Sequence, residues 1–147
     1  MNATTVSTVT TVTAPIADDR PSGADPRWDV AGQFLAALAS RDFPELESCL
    51  DTNVRFRALV PRGALEAIGA AQAIALFRRW FGQDDTFDVI DAAIGQIGPR
   101  IYLRWQVRTG ADGDPSSFRL VEQHAFVTAR ERIEALDLLC SGFTPSR

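Results

Sequence analysis

His124 is the one histidine of a 147-residue chain, and Glu122 stands two residues before it. Both lie in Ser117–Cys140, which reads SFRLVEQHAFVTARERIEALDLLC and alternates for long enough to make two paired strands. Strand parity puts Glu122 and His124 on the face that also carries Leu120 and Phe126. An imidazole titrates near operating pH, so beside a carboxylate it could serve as general acid or base. The same pair could equally satisfy each other by hydrogen bonding within a core. Arg57 could bring positive charge to a developing oxyanion, but its strand alternates as an outward row would, which favours pairing at the surface. Asp137 lies opposite Leu136 and Leu138 in parity and reads as an outward or interface carboxylate. Cys140 has no base near it in sequence, so it reads as a cavity-lining thiol rather than a nucleophile.

Other chemistries find little support. Cys49 and Cys140 fit no CxxC or zinc spacing, and with one histidine the chain is short of ligands for a four-coordinate metal, so neither metal nor cofactor is expected. A net charge of −4 argues against a surface that tracks phosphates, and hence against nucleic acid. All 15 positive side chains are arginine, and the pair Arg78-Arg79 reads as a solvated helix face. An apolar share of 46% and a charged share of 23% fit a globular protein. No run is long enough to span a membrane. The N-terminus lacks a basic segment followed by an apolar run, so a reducing cytoplasm and free thiols are expected.

The elements that must position these groups can be read in order. Residues 1–27 open with TTVSTVTTVT and then collect prolines, aspartates and glycine, which predicts a disordered leader. The Thr/Val run has the strand propensity to join a sheet edge, but the Pro-rich stretch after it offers no partner. A helix should start at Asp25 or Pro26 and run to about Ser40, with Ala31, Phe34, Leu35 and Leu38 facing a core and Gln33 and Arg41 outward. A short helix capped by Asp42 follows, with Leu46, Cys49 and Leu50 as its stripe. From Asn53 the period changes to two, with Val54, Phe56 and Ala58 on one face. After the turn at Pro61-Arg62-Gly63, a short extended piece covers Leu65 to Ile68, and a third helix runs from Gly69 to a stop at Gly82. The remainder reads as a meander: Phe87 to Ile97, then Ile101 to Thr109 with Trp105 on its apolar face, then the two strands of Ser117–Cys140. In that last hairpin the row Arg119, Val121, Gln123, Ala125 and Val127 reads as outward and too apolar for water, which hints at a homodimer through the outer sheet face.

This order predicts an α+β fold, a curved antiparallel sheet wrapped around three helices, over residues 28–147. The chain resembles the nuclear transport factor 2-like superfamily, within it the SnoaL-like polyketide cyclase and ketosteroid isomerase branch. The resemblance runs from about Trp28 to Phe143. It is carried by FLAALASRDFPELESCL for the helical hairpin, GAAQAIALFRRWFG for the third helix, GPRIYLRWQV for a central strand and EQHAFVTARERIEALDLL for the final hairpin.

The resemblance implies a cone-shaped, cystatin-like roll that holds a small apolar or aromatic molecule, with a convex side that pairs two copies. It implies His124 and Glu122 as the catalytic pair and Phe34, Trp105, Leu120, Phe126, Leu138 and Cys140 as ligand-binding. The positions that the isomerases fill with a tyrosine and a general-base aspartate look like Phe34 and Arg57, which can neither donate a hydroxyl proton nor accept one. Only their oxyanion-binding position, at His124, keeps an ionisable group, so steroid isomerisation is not expected. The reading is a SnoaL-like small-molecule-binding domain doing cofactor-free acid/base chemistry such as cyclisation, isomerisation or dehydration. The alternative is a non-catalytic ligand-binding or dimerisation module of the same fold.

Overall fold

The computed structural model describes residues 17–18 and 25–146. Most of the expected leader, including its Thr/Val run, lies outside the described residues. Within the leader, Ala17–Asp18 forms a two-residue strand, β1, that pairs in parallel with Ala93 and Ile94.

Helix α1 spans Pro26–Ala39, with Pro26 in its first turn and the Asp25 carboxylate accepting from the Arg27 backbone N–H at 3.0 Å. Helix α2, Phe43–Ser48, is capped by Asp42, which accepts from Glu45 N at 3.1 Å. Between them Arg41 adopts a left-handed φ of 52°. Rather than facing outward, its guanidinium reaches across to donate to the carbonyls of Phe81 at 3.0 Å and Asp84 at 2.7 Å. That ties the helical hairpin to the end of α3, Ala70–Phe81. The expected caps and breaks at Asp25, Asp42 and Gly82 are therefore those observed.

The strands are β2 (Leu50–Val60), β3 (Gly63–Ile68), β4 (Thr86–Ile97), β5 (Arg100–Gly110), β6 (Arg119–Ala129), β7 (Ile133–Cys140) and β8 (Thr144–Pro145). They order as β1-β4-β5-β6-β7-β2-β3, with β8 alongside β6. Pairing is antiparallel except where β1 meets β4 and where β2 meets β7. The parallel β2–β7 contact is what brings the strand after the helical hairpin back beside the far strand of the final hairpin. The result is an α+β cone, a curved, unclosed sheet whose concave side is covered by three helices.

Aromatic rings fill the cone. Phe34 of α1 meets Phe77 of α3 at a centroid distance of 5.8 Å and Trp105 of β5 at 5.9 Å, and Phe56 of β2 meets Phe77 at 5.8 Å. All four are fully buried. Trp28 donates from Nε1 to Gln96 Oε1 at 3.2 Å and so pins α1 to β4.

The sheet's inward row differs from expectation at one strand. β5 presents Ile101, Leu103, Trp105 and Val107 to the core as read from its alternation. On β6, however, Val121, Gln123, Ala125 and Val127 are the buried row, and Leu120, Glu122, His124 and Phe126 are half-exposed on the convex face. The register enforces this. Trp105 pairs with Gln123 and Leu103 with Ala125, whereas Arg104 pairs with His124 and Tyr102 with Phe126. Directly paired residues share a face, so β6 must follow β5. The alternative would take Glu122 and His124 out of water, whereas the observed row buries Val121, Ala125 and Val127 and leaves only Gln123, whose amide oxygen accepts from Trp105 Nε1.

Candidate functional site

The predicted site residues separate onto three surfaces. Phe34, Trp105 and Leu138 lie inside the cone as expected, and are core. Glu122, His124, Leu120 and Phe126 lie on the outer face, a correction of their expected direction. Cys140 is half-exposed at the end of β7, where the cone opens.

At that open end is a pocket of about 610 Å³ between the β2–β3 turn, the end of α3 and the chain after β7. Its walls include Pro61, Trp80 and Phe143, its floor Val60 and Cys140, and its rim Arg62. Trp80 is held by rings on its inner side, with Phe77 at 5.3 Å and Phe81 at 6.3 Å. Phe143 packs on Phe81 at 6.2 Å. Glycine is required at 142, where φ is 84° and a Cβ would stand 2.7 Å from Pro61 Cγ. The chain after Cys140 is then strapped to β6: Ser141 N donates to the Glu122 carbonyl at 2.9 Å, Glu122 N donates to Ser141 Oγ at 2.9 Å, and Thr144 pairs with Leu120.

Below the thiol runs a buried polar chain that sequence parity missed. Trp105 Nε1 donates to Gln123 Oε1 at 2.8 Å, and Gln123 Nε2 donates to Cys140 Sγ at 3.4 Å. Gln123 is fully buried, so its amide has no recourse to water and is held by these contacts. Trp80 belongs to the third helix, which the sequence places between Gly69 and Gly82. Gln123 could have been found by asking what sits across from Trp105.

The outer face carries a separate cluster. Tyr102 Oη lies 2.6 Å from His124 Nδ1, and His124 Nε2 lies 2.6 Å from Glu122 Oε2. In the Nε2–H tautomer the phenol donates to the ring and the ring to the carboxylate. Burial pushes the Tyr102 phenol above its ordinary value. Nearby, Arg104 Nη1 donates to Asp91 Oδ2 at 2.7 Å, while Asp91 Oδ1 is buried without a partner among the described residues. Arg57, as read from its alternation, is a surface residue: it donates to Asp137 through Nε at 2.8 Å and Nη2 at 3.1 Å. Arg100 adds a third contact at 2.7 Å, and the Arg57 and Arg100 guanidiniums hold the Asp137 carboxyl down to about 2. A groove of about 420 Å³ opens beside this pair, over Leu59, Ala64, Phe126 and Leu139.

A wider cleft of about 720 Å³ sits at the far end, near Pro44, Ile68 and Gln72, and no aromatic ring lines it. Among the described residues no three of His, Cys, Asp and Glu gather as a metal site, and no helix is long and apolar enough to cross a membrane.

Solved structures share the cone. One is a protein with a ketosteroid isomerase-like fold from Catenulispora acidiphila, in complex with trimethylamine. It superposes with a TM-score of 0.60 at 13% identity, over 80% of this chain and 88% of that one. A protein from Xanthomonas campestris named as a candidate polyketide cyclase gives 0.62 at 15% identity, over 78% and 89%. A nuclear-transport-factor-2-like protein of unknown function from Burkholderia pseudomallei gives 0.61 at 15% identity, over 82% and 92%. At these identities the likeness carries the fold alone. No curated protein matches the chain in sequence. The family model for the SnoaL-like domain matches residues 31–134, from within α1 to the first residues of β7, and the chain belongs to that family.

Proposed function

We propose that the chain binds a small apolar or aromatic molecule at the open end of its cone, without acid/base chemistry in that pocket. The observation that carries this reading is the makeup of the 610 Å³ pocket, where Trp80 and Phe143 supply aromatic walls and no carboxylate or imidazole is among the lining residues. Its size falls within the range of small-molecule sites, and two rings with a few polar groups are the usual composition of one. The deep interior is taken by Phe34, Phe77 and Trp105, so a ligand sits at the mouth rather than within. Calorimetric titration with planar aromatic compounds tests this. Binding should weaken at least about tenfold in Phe143→Ala, the loss expected when an aromatic wall is removed. Unchanged affinity in that variant would remove the reading.

A second reading has its own observation. The unbroken contact from Tyr102 through His124 to Glu122, with both separations 2.6 Å, favours an acid/base device for cofactor-free isomerisation, cyclisation or dehydration. Its substrate would lie on the outer face, with the protonated phenol as acid. His124→Ala then abolishes turnover with the fold intact, and an unchanged rate in that variant rules the device out.

The outer face also supports self-association. Leu59 is 55% exposed, Ile68 61% and Leu139 46%, all on the convex side of β2, β3 and β7. These replace the β6 row as the apolar surface that a second copy would cover.

A further inference from the structure

We infer that the ligand of the mouth pocket is an aromatic acid, its anionic group held by Arg62 at the rim. This rests on the proposal that the pocket binds a ligand, and adds the chemical class. Arg62 is the one guanidinium among the lining residues. It stands exposed on the β2–β3 turn, where Val60 and Gly63 pair, and has no ion pair or hydrogen bond among the described residues.

Several other arginines of this chain are occupied, while Arg79 and Arg132, like Arg62, have no ion pair or side-chain hydrogen bond among the described residues but do not line this pocket. Arg57 and Arg100 hold Asp137, Arg104 holds Asp91, Arg130 holds Glu134, and Arg41 holds backbone carbonyls. Arg62 has such a choice open, and the pocket beside it contains nothing negative. Arg119, which does not line the pocket, lies 6.0 Å from the ring of Phe143. The position of Arg62 is also constrained. Pro61 is pinned against Gly142 so closely that a methyl group there would not fit, which fixes the turn relative to the strap.

The geometry therefore asks for a flat apolar body that can lie against Trp80 and Phe143, with one acid group at its edge facing solvent and Arg62. A guanidinium meets a carboxylate through two parallel N–H bonds, and this is the group whose planar acceptors match it. A neutral ligand of the same shape would use the walls and leave the rim idle.

The probes are 2-naphthoate and 2-naphthamide, which share the ring system and differ in charge. Each is titrated calorimetrically into the wild-type chain, Arg62→Gln and Phe143→Ala, at low and high salt. The acid should bind about fivefold more tightly than the amide, a factor that fits a rim-exposed pair, and the advantage should shrink at high salt. Arg62→Gln should erase that advantage and leave amide binding unchanged, while Phe143→Ala should weaken both probes. Equal affinity for acid and amide in the wild type, or an advantage that survives in Arg62→Gln, overturns the assignment and leaves the pocket standing. Failure of both probes to bind, or indifference of both to Phe143→Ala, overturns the pocket itself and the inference with it.

Discussion

The two thiols show how a single residue's surroundings set its reactivity. Cys49 is buried between α2 and β2, and that burial pushes its thiol up to about 11. At pH 8 it carries almost no thiolate, and no reagent can reach it. Cys140 lies at the floor of the mouth pocket and is open to solvent. Alkylation of the native chain with iodoacetamide at pH 8 should modify one thiol, located by peptide mass at Cys140. Cys140→Ser should take up no label on the same timescale. Labelling of Cys49 in the native state would show that the core around α2 opens more readily than its packing implies. Asp137 gives a second test at this scale. Its carboxyl is held down to about 2, first by the hydrogen bonds from Arg57. A depressed carboxyl contributes stability that is complete above the ordinary carboxylate value and lost as pH falls from about 4 toward 2. With the guanidiniums largely solvated, the contribution is about 1 kcal/mol. Asp137→Asn should therefore unfold at lower urea than wild type at pH 7, and the gap should close near pH 2. A gap that persists there would mean that packing, not charge, is what the carboxylate supplies.

At the scale of elements, ends were easier to read than faces. Asp25, Asp42, Gly82 and the Pro61-Arg62-Gly63 turn act through the backbone of their own neighbours, so their meaning is local and visible in the sequence. The face of a strand is settled by its partners, and β6 shows the difference. Both of its rows mix apolar and polar side chains: Leu120 and Phe126 accompany the ionisable pair on one side, and Gln123 accompanies Val121, Ala125 and Val127 on the other, the more apolar row, which is the buried one. Alternation fixes that two rows exist but not which is buried; the pairing of Trp105 with Gln123 decides it. The buried amide is thus a part of the fold that polarity alone disguised. Gln123→Leu keeps the volume and removes the acceptor for Trp105 Nε1, leaving a buried N–H without a partner. That should cost about 1–3 kcal/mol in urea unfolding with the slope unchanged. A neutral or stabilising result would mean that the indole finds another acceptor, and would weaken the case that this chain of contacts shapes the pocket floor.

For the whole molecule, the question is what covers the convex sheet. The β6 row first expected to do so is buried inside the cone, yet an apolar surface is present elsewhere, over the paired Leu59 and Leu139, with Ile68 exposed further along the same face. Around it stand charges of both signs, including Arg57, Glu66 and Asp137. A two-fold axis would bring each patch onto its own copy, so that apolar area covers apolar area and opposite charges can meet across the interface. Such an interface also brings the half-exposed Tyr102–His124–Glu122 contact close to a partner, where its hydrogen bonds gain from the exclusion of water. A stable dimer needs about 800 Å² from each copy, well within the reach of a sheet this wide. Light scattering at micromolar concentration should give twice the 16.1 kDa chain mass. Leu139→Glu places a charge beside Leu59, its partner across the sheet, on a side chain that is already exposed in the single chain, so the fold should hold while the mass falls to that of one copy. Circular dichroism on the same sample separates loss of association from loss of folding. A monomeric mass for the wild type, or a dimer indifferent to Leu139→Glu, would mean that the outer face is left to solvent or to a different partner.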